Sequence, residues 1–241
     1  VIDYCEELFI RQFIDEVVEA DDGIGYYCNQ IKDNEKVVIM TNDRDMLQLL
    51  NERVGVYVLN LRNIITISNY NQYFTHHYSN VKLLKMISGD ASDNIKGIKG
   101  VSEKTLIKYF PDFSSKTLTL EEIFSKIEEI QSQRKSRLKT LDNIINKVTV
   151  GVQGESIFEV NEKIINLKKP LLTEQSKTTL NNLFSSPIDP ENRTTKNVIK
   201  MMLEDGLTMA IPGGRDGYIN FLQPFLRIIK KEKSYFSKIK N

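Results

Sequence analysis

The segment Lys36–Met40, KVVIM, constrains the fold more than any other stretch of the chain. Three of its five residues are β-branched, and Asp43 and Asp45 follow directly after it. A compact apolar run of this length reads as a buried strand of a parallel sheet. Asp45–Leu50 then has helical spacing, and short strands are expected over Val54–Leu59 and Ile64–Ile67. Strand, helix and strand in this order predict an α/β architecture, a parallel sheet with helices packed on it. Such sheets gather ligands beyond the carboxyl ends of their strands, which is where Asp43 and Asp45 fall.

Two further carboxylate clusters lie within the first hundred residues: Glu19, Asp21 and Asp22 in VEADDGIG, and Asp90 and Asp93 in ISGDASDNIKGIKG. Hard divalent cations take oxygen ligands, and a two-ion site needs several carboxylates from separate parts of the chain. Simpler explanations exist for the first two clusters. Residues i, i+2 and i+3 spread around a helix, and acids at a helix start complement its dipole, so Glu19, Asp21 and Asp22 alone could be structural. Asn42 or Asp43 could equally cap the helix that follows.

The third cluster runs straight into IKGIKGVSEKT. Gly97, Ile98, Lys99, Gly100 and Val101 are expected to form the hairpin of a helix-hairpin-helix, whose small residues let backbone amides approach a DNA phosphate. Ser102 is placed as N-cap and Lys104 sits in the first turn, an arrangement that grips the backbone without reading bases. Lys82, Lys85, Lys96, Lys99, Lys104 and Lys108 surround it and are read as phosphate contacts. His76 and His77, among Tyr73, Phe74 and Tyr78, read as a surface or half-buried pair.

The net charge of +1 over 241 residues hides an asymmetry: residues 1–50 hold twelve acidic and four basic side chains, leaving −8 there and +9 in the remainder. An acidic pocket beside a basic remainder suits a polyanion whose charge is bridged by metal. No run approaches the roughly 18–20 apolar residues that cross a bilayer. The expected compartment is the cytoplasm, with Cys5 and Cys28 as reduced thiols.

A first helix is expected from the spacing of Ile2, Cys5, Phe9 and Phe13, then a short strand over Phe13–Val18 and a helix through Ile31. From Val81 the texture is helical and basic, with helices near 81–88, 102–109, 120–131 and 134–147. A turn-rich loop over Ser185–Arg193, a helix over Thr195–Glu204 and a last helix from Asp216 to about Lys231 follow. The terminal basic run Arg227, Lys230, Lys231, Lys233, Lys238 and Lys240 suits either DNA or solvent. The expected organisation is an α/β core over 1–80 and a helical region over 81–241 that lends Asp90 and Asp93 to the core's site.

EADDGIG, TNDRDMLQLL and SGDASDNIKGIKGVSEKT, in this order and spacing, resemble the 5′-nuclease (flap endonuclease) superfamily of phage type, and RTTKNVIKMMLEDGL leans toward the RNase H of T-even-like phages. The resemblance implies a PIN-like parallel-sheet core and a structure-specific nuclease that removes RNA primers and 5′ flaps. By motif, Asp21, Asp43, Asp45 and Asp93 would be the nearest ligands of two Mg²⁺ (or Mn²⁺) ions, with Glu19, Asp22 and Asp90 acting directly or through metal-bound water. A K⁺ ion would sit on the hairpin at Gly97, Ile98, Lys99, Gly100 and Val101. The implied partners are duplex DNA bearing a flap, nick or RNA primer, with a sliding clamp or single-strand binding protein as further candidates, and neither a membrane nor a second copy. Members of the family begin with a strand bearing an Asp, a further Asp and a helical arch. These have no counterpart here, so the core is expected to be incomplete at its N-terminus. A non-catalytic DNA-binding fragment and a PIN-type ribonuclease are the alternative functional readings.

Overall fold

The computed structural model describes residues 1–150, 157–186, 193–207, 211 and 213–239. In chain order its elements begin with α1 (Ile2–Glu7), α2 (Ala20–Gln30), β1 (Val37–Thr41), β2 (Val54–Val58), β3 (Asn63–Ile65), α3 (Val81–Ser88) and α4 (Glu103–Tyr109). They continue with α5 (Leu120–Ser132), α6 (Lys139–Ile145), α7 (Ile157–Ile165), α8 (Glu174–Ser185), α9 (Thr195–Glu204) and α10 (Gly214–Ile239). The chain groups into two units, Val18–Leu172 and a second made of Val1–Val17 with Thr173–Asn241.

In the first unit β1 runs parallel to β2, pairing Val37 with Val54 and Thr41 with Val58. β3 returns antiparallel, with Val56 opposite Ile65. The connections explain both directions. Residues 42–53 are long enough for a parallel crossover, whereas only residues 59–62 separate β2 from β3, a span that suits a hairpin. The sheet is therefore mixed, although only parallel pairing was expected.

β1 also departs from a fully buried strand. It lies at the sheet edge, and Val38 and Met40 are 54% and 70% exposed while Ile39 is buried. Its neighbour β2 is buried at Val54, Gly55, Val56 and Val58.

Ile39, Val54, Val56, Val58 and Ile65 pack with Met46, Leu47, Leu49 and Leu50 from the 3₁₀ turn Arg44–Leu49 and its cap, and with Cys28, Ile31, Tyr70 and Val81. Full burial of one such aliphatic side chain contributes about 1.5–3 kcal/mol. A second core is helical: Leu83, Met86 and Ile87 of α3 meet Ile98, Leu106, Phe113, Ile123, Ile127, Leu141, Ile144 and Phe158. α3 thus serves both cores, with Val81 in one and Leu83 in the other. The boundary expected at residue 80 falls inside this unit.

Several helix ends are set by side chains. Thr119 and Glu122 form a reciprocal capping box at the start of α5. Buried Gln131 receives the Leu138 N–H at 2.8 Å and donates to the Leu138 carbonyl at 3.1 Å. That grip holds residues 134–138 out of the helix expected over 134–147, and α6 starts only at Lys139.

In the second unit Val198, Met202, Tyr218 and Leu222 form a small core with Tyr4 and Leu8 against it. The first helix stops well short of Phe13, because Phe9 takes φ +63° after Glu7 and Leu8. The strand expected over Phe13–Val18 does not form. Among the described residues it finds no strand to pair with, and Asp15 accepts the Ser176 hydroxyl at 2.7 Å instead. α9 occupies the expected residues, and α10 is longer than expected, with Pro224 inside it. Residues 187–192 of the expected loop lie outside the described residues. Arg227, Lys230 and Lys231 are exposed, while the side chains of Lys233, Lys238 and Lys240 are not among those described. No helix of the described residues is long and apolar enough to cross a membrane.

Candidate metal centre and hairpin

Three of the seven carboxylates converge. One ligand oxygen from each of Asp45, Asp90 and Asp93 lies within 4.8 Å of the others, a spacing that a single hard cation can bridge. Asp45 enters from the 3₁₀ turn after β1. Asp90 and Asp93 enter from the loop after α3, which is closed by Asp90–Ile95 backbone hydrogen bonds of 2.9 and 2.7 Å.

The cluster encloses a cation of its own. The Lys85 ammonium, from α3, is in direct ionic contact with Asp45 Oδ1 and 2.5 Å from Asp90 Oδ2. Asp45 Oδ1 is buried and accepts no hydrogen bond of good geometry, so charge alone compensates it. A buried carboxylate oxygen of this kind, facing two more carboxylates, fits a divalent ion. Asp90 is held well below the usual carboxylate range, first by Lys85 and then by the Ser92 hydroxyl.

The other four carboxylates are not drawn into this group. Asp43 is exposed and caps the 3₁₀ turn, its Oδ1 accepting the Asp45 N–H at 2.8 Å. Glu19 occupies the N-cap position of α2 and is exposed. Asp21 accepts the Asp22 N–H at 2.9 Å, and Asp22 accepts the Leu171 N–H at 3.1 Å. Burial pushes the Asp22 carboxyl up; the Leu171 N–H opposes this, while the charges of Asp21 and Glu19 add to it.

The loop between α3 and α4 is built by close backbone approach. A Cβ on Gly97 would be driven into the Ser88 carbonyl and to 2.5 Å from the Gly89 nitrogen. Ile98, 1% exposed, donates its N–H to Ile87 at 2.7 Å, and Val101 donates to Ile98 at 3.1 Å across a turn in which Gly100 takes φ +77°. The turn is pinned from α6 and the chain after it. Lys99 donates to the Val148 carbonyl at 2.8 Å, Val150 to Gly97 at 2.9 Å, and the Asn143 amide to the Lys99 carbonyl at 2.9 Å. Asn161 of α7, itself buried, donates to the Met86 and Lys96 carbonyls at 3.0 and 2.9 Å. Ser102 caps α4, accepting the Thr105 N–H, and Lys104 is exposed in its first turn.

The lysines divide into two sets. Lys96, Lys99, Lys104 and Lys108, in or near the loop between α3 and α4, are exposed. Lys82 and Lys85 are not, because Lys82 pairs with Glu162 at 2.6 Å and Lys85 with the acidic cluster. Sequence reasoning missed Lys85 as a member of the site, since Asp45 lies forty residues away and no local pattern joins them. His76 also differs from a surface residue. It is 7% exposed and bridges the Tyr70 hydroxyl at 2.7 Å and Glu103 at 2.8 Å.

Residues 1–80 match the family model described as the 5′-3′ exonuclease, N-terminal resolvase-like domain. The chain is 36% identical to DNA polymerase I of Caldicellulosiruptor bescii over 131 residues, 52% of this chain and 15% of that protein. It is 34% identical to the 5′-3′ exonuclease of Mycoplasmopsis pulmonis over 152 residues, 63% of this chain and 44% of that protein. It therefore spans less than half the length of these relatives. Among solved structures it shares its fold with the bacteriophage T5 D15 flap endonuclease in a pseudo-enzyme–product complex with DNA and metal ions. That match has a TM-score of 0.54 and 17% identity, and covers 95% of this chain and 66% of that one. A T5 5′-exonuclease with bound divalent zinc matches with a TM-score of 0.52 and 17% identity, over 90% and 62% of the two chains. The matches agree with the motifs: residues 1–80 are similar to the N-terminal resolvase-like domain of 5′-3′ exonucleases, and the chain shares the fold of the T5 5′-exonuclease.

Proposed function

We propose that this chain acts as a Mg²⁺-dependent, structure-specific 5′-nuclease that removes 5′ flaps and RNA primers from duplex DNA. Its main support is the convergence of Asp45, Asp90 and Asp93 within 4.8 Å beside a glycine-built turn ringed by exposed lysines. Asp45, Asp90 and Asp93 would hold one ion, and Asp21, Asp43, Glu19 and Asp22 would serve a second, directly or through water. When bound, the ions lower the pKa of a water and neutralise charge on the phosphate, so no nucleophilic side chain is needed. Gly97, Ile98, Lys99, Gly100, Val101, Ser102 and Lys104 would grip the unbroken strand, with K⁺ at the hairpin carbonyls. The DNA and metal ions held by the T5 flap endonuclease favour this assignment. A sliding clamp or single-strand binding protein is a further proposed partner.

The test is cleavage of a 5′-flap duplex by this polypeptide. Mg²⁺ should support release of the flap and EDTA should stop it. Asp93→Asn should slow cleavage by at least ~100-fold while duplex affinity holds, because Asp93 is exposed and carries charge toward the cluster. Cleavage that persists in EDTA, or full activity in Asp93→Asn, refutes the assignment. A second reading, a DNA-binding fragment without catalysis, draws on the four carboxylates that stand outside the cluster. Duplex binding with no cleavage at any Mg²⁺ concentration would favour it.

A further inference from the structure

Lys85 is the least expected member of the acidic cluster. Its side chain is 18% exposed, and those of Asp45 and Asp90 are 13% and 16% exposed, so all three are largely withdrawn from water. Two carboxylates this enclosed repel one another and need a cation between them. The ammonium supplies it, touching Asp45 Oδ1 and lying 2.5 Å from Asp90 Oδ2.

Lys85 contacts two of the three carboxylates that a divalent ion at this cluster would bridge. Mg²⁺ sits about 2.0–2.1 Å from its oxygen ligands, which leaves no room for an ammonium against the same Asp45 oxygen. Ion and ammonium also repel. Lysine is suited to give way, because its charge is compact and its four-carbon stem is flexible.

We propose that Lys85 is an exchangeable internal counter-ion, a positioning residue that holds Asp45 and Asp90 while no divalent ion is bound and leaves Asp45 when one arrives. This rests on the reading of Asp45, Asp90 and Asp93 as a metal site. It makes divalent affinity the outcome of a competition, whereas a purely structural salt bridge would persist in the loaded site.

The experiment is Mn²⁺ titration of the full chain by calorimetry without DNA, alongside thermal unfolding in EDTA. Lys85→Met should bind Mn²⁺ about tenfold more tightly than wild type, a usual size for coupling between competing ligands. It should melt several degrees lower in EDTA, and saturating Mn²⁺ should restore the loss. Lys85→Arg should return the affinity and the EDTA melting temperature to near the wild-type values. Should Lys85→Met fail to fold, amine acylation of the wild-type chain read by peptide mass spectrometry answers the same question. Lys85 should be labelled faster in Mn²⁺ than in EDTA. Equal or weaker Mn²⁺ binding by a folded Lys85→Met, or equal or slower labelling in Mn²⁺, overturns the counter-ion role and leaves the metal site standing. No Mn²⁺ binding by wild type or variant overturns both.

Discussion

Asp43 and Asp45 stand two residues apart on the same rim, yet their surroundings separate them. Asp43 spends one oxygen on the Asp45 N–H and remains exposed, while Asp45 turns inward to Lys85. Beside them Asp90 has its carboxyl held low by Lys85 first and Ser92 second. The sign of the resulting pH dependence follows. A depressed carboxyl contributes stability that is present above the unfolded value of about 3.9 and is lost as pH falls toward the folded value. In EDTA, urea unfolding of wild type should therefore lose stability from about pH 5 down to pH 3. Asp90→Asn should be less stable at neutral pH and lose less over that window, and parallel curves for the two proteins would count against the coupling.

At the level of elements, two glycines of one loop do different work. Gly97 lets the backbone after α3 lie against Ser88 and Gly89, and a methyl group there has nowhere to go. Gly100 faces open space and is needed only for its φ of +77°. Gly97→Ala should cost about 3 kcal/mol, the upper range for forced overpacking. Gly100→Ala should cost about 1–2 kcal/mol, the penalty of a left-handed backbone for a residue with a Cβ. Chemical denaturation of the two variants checks the order, and a reversal would mean that the turn, and not the close approach, limits the loop. α3 carries the larger consequence, since it joins the sheet core to the helical core and aims Lys85 at both halves of the acidic cluster.

On the scale of the whole molecule, the carboxylate cluster takes only Asp45 from the acidic first fifty residues and Asp90 and Asp93 from the basic remainder, all in the same unit as an exposed lysine rim. If Lys96, Lys99, Lys104 and Lys108 meet phosphates, replacing all four by Ala should flatten the salt dependence of duplex binding. Each lost contact removes about 0.9 from the slope of log K against log salt. Replacing Lys82 by Ala should leave the slope unchanged, because its ammonium is already paired with Glu162. Fluorescence anisotropy across a salt series distinguishes the two. What the sequence determined by itself was local: β1 and β2, α3 and α9, the Ser102 cap and the acidic motifs all follow from patterns a few residues long. The resemblance to 5′-3′ exonucleases was readable from the same motifs, because their spacing along the chain is itself a local signature. Tertiary structure decided which oxygens meet, that Lys82 and Lys85 belong to carboxylates, that β3 turns back antiparallel, and that His76 is buried between Tyr70 and Glu103. The reason is physical. A strand or a cap is chosen by neighbouring residues, whereas an enclosed charge takes whichever opposite charge the fold brings within reach, here across the forty residues between Asp45 and Lys85.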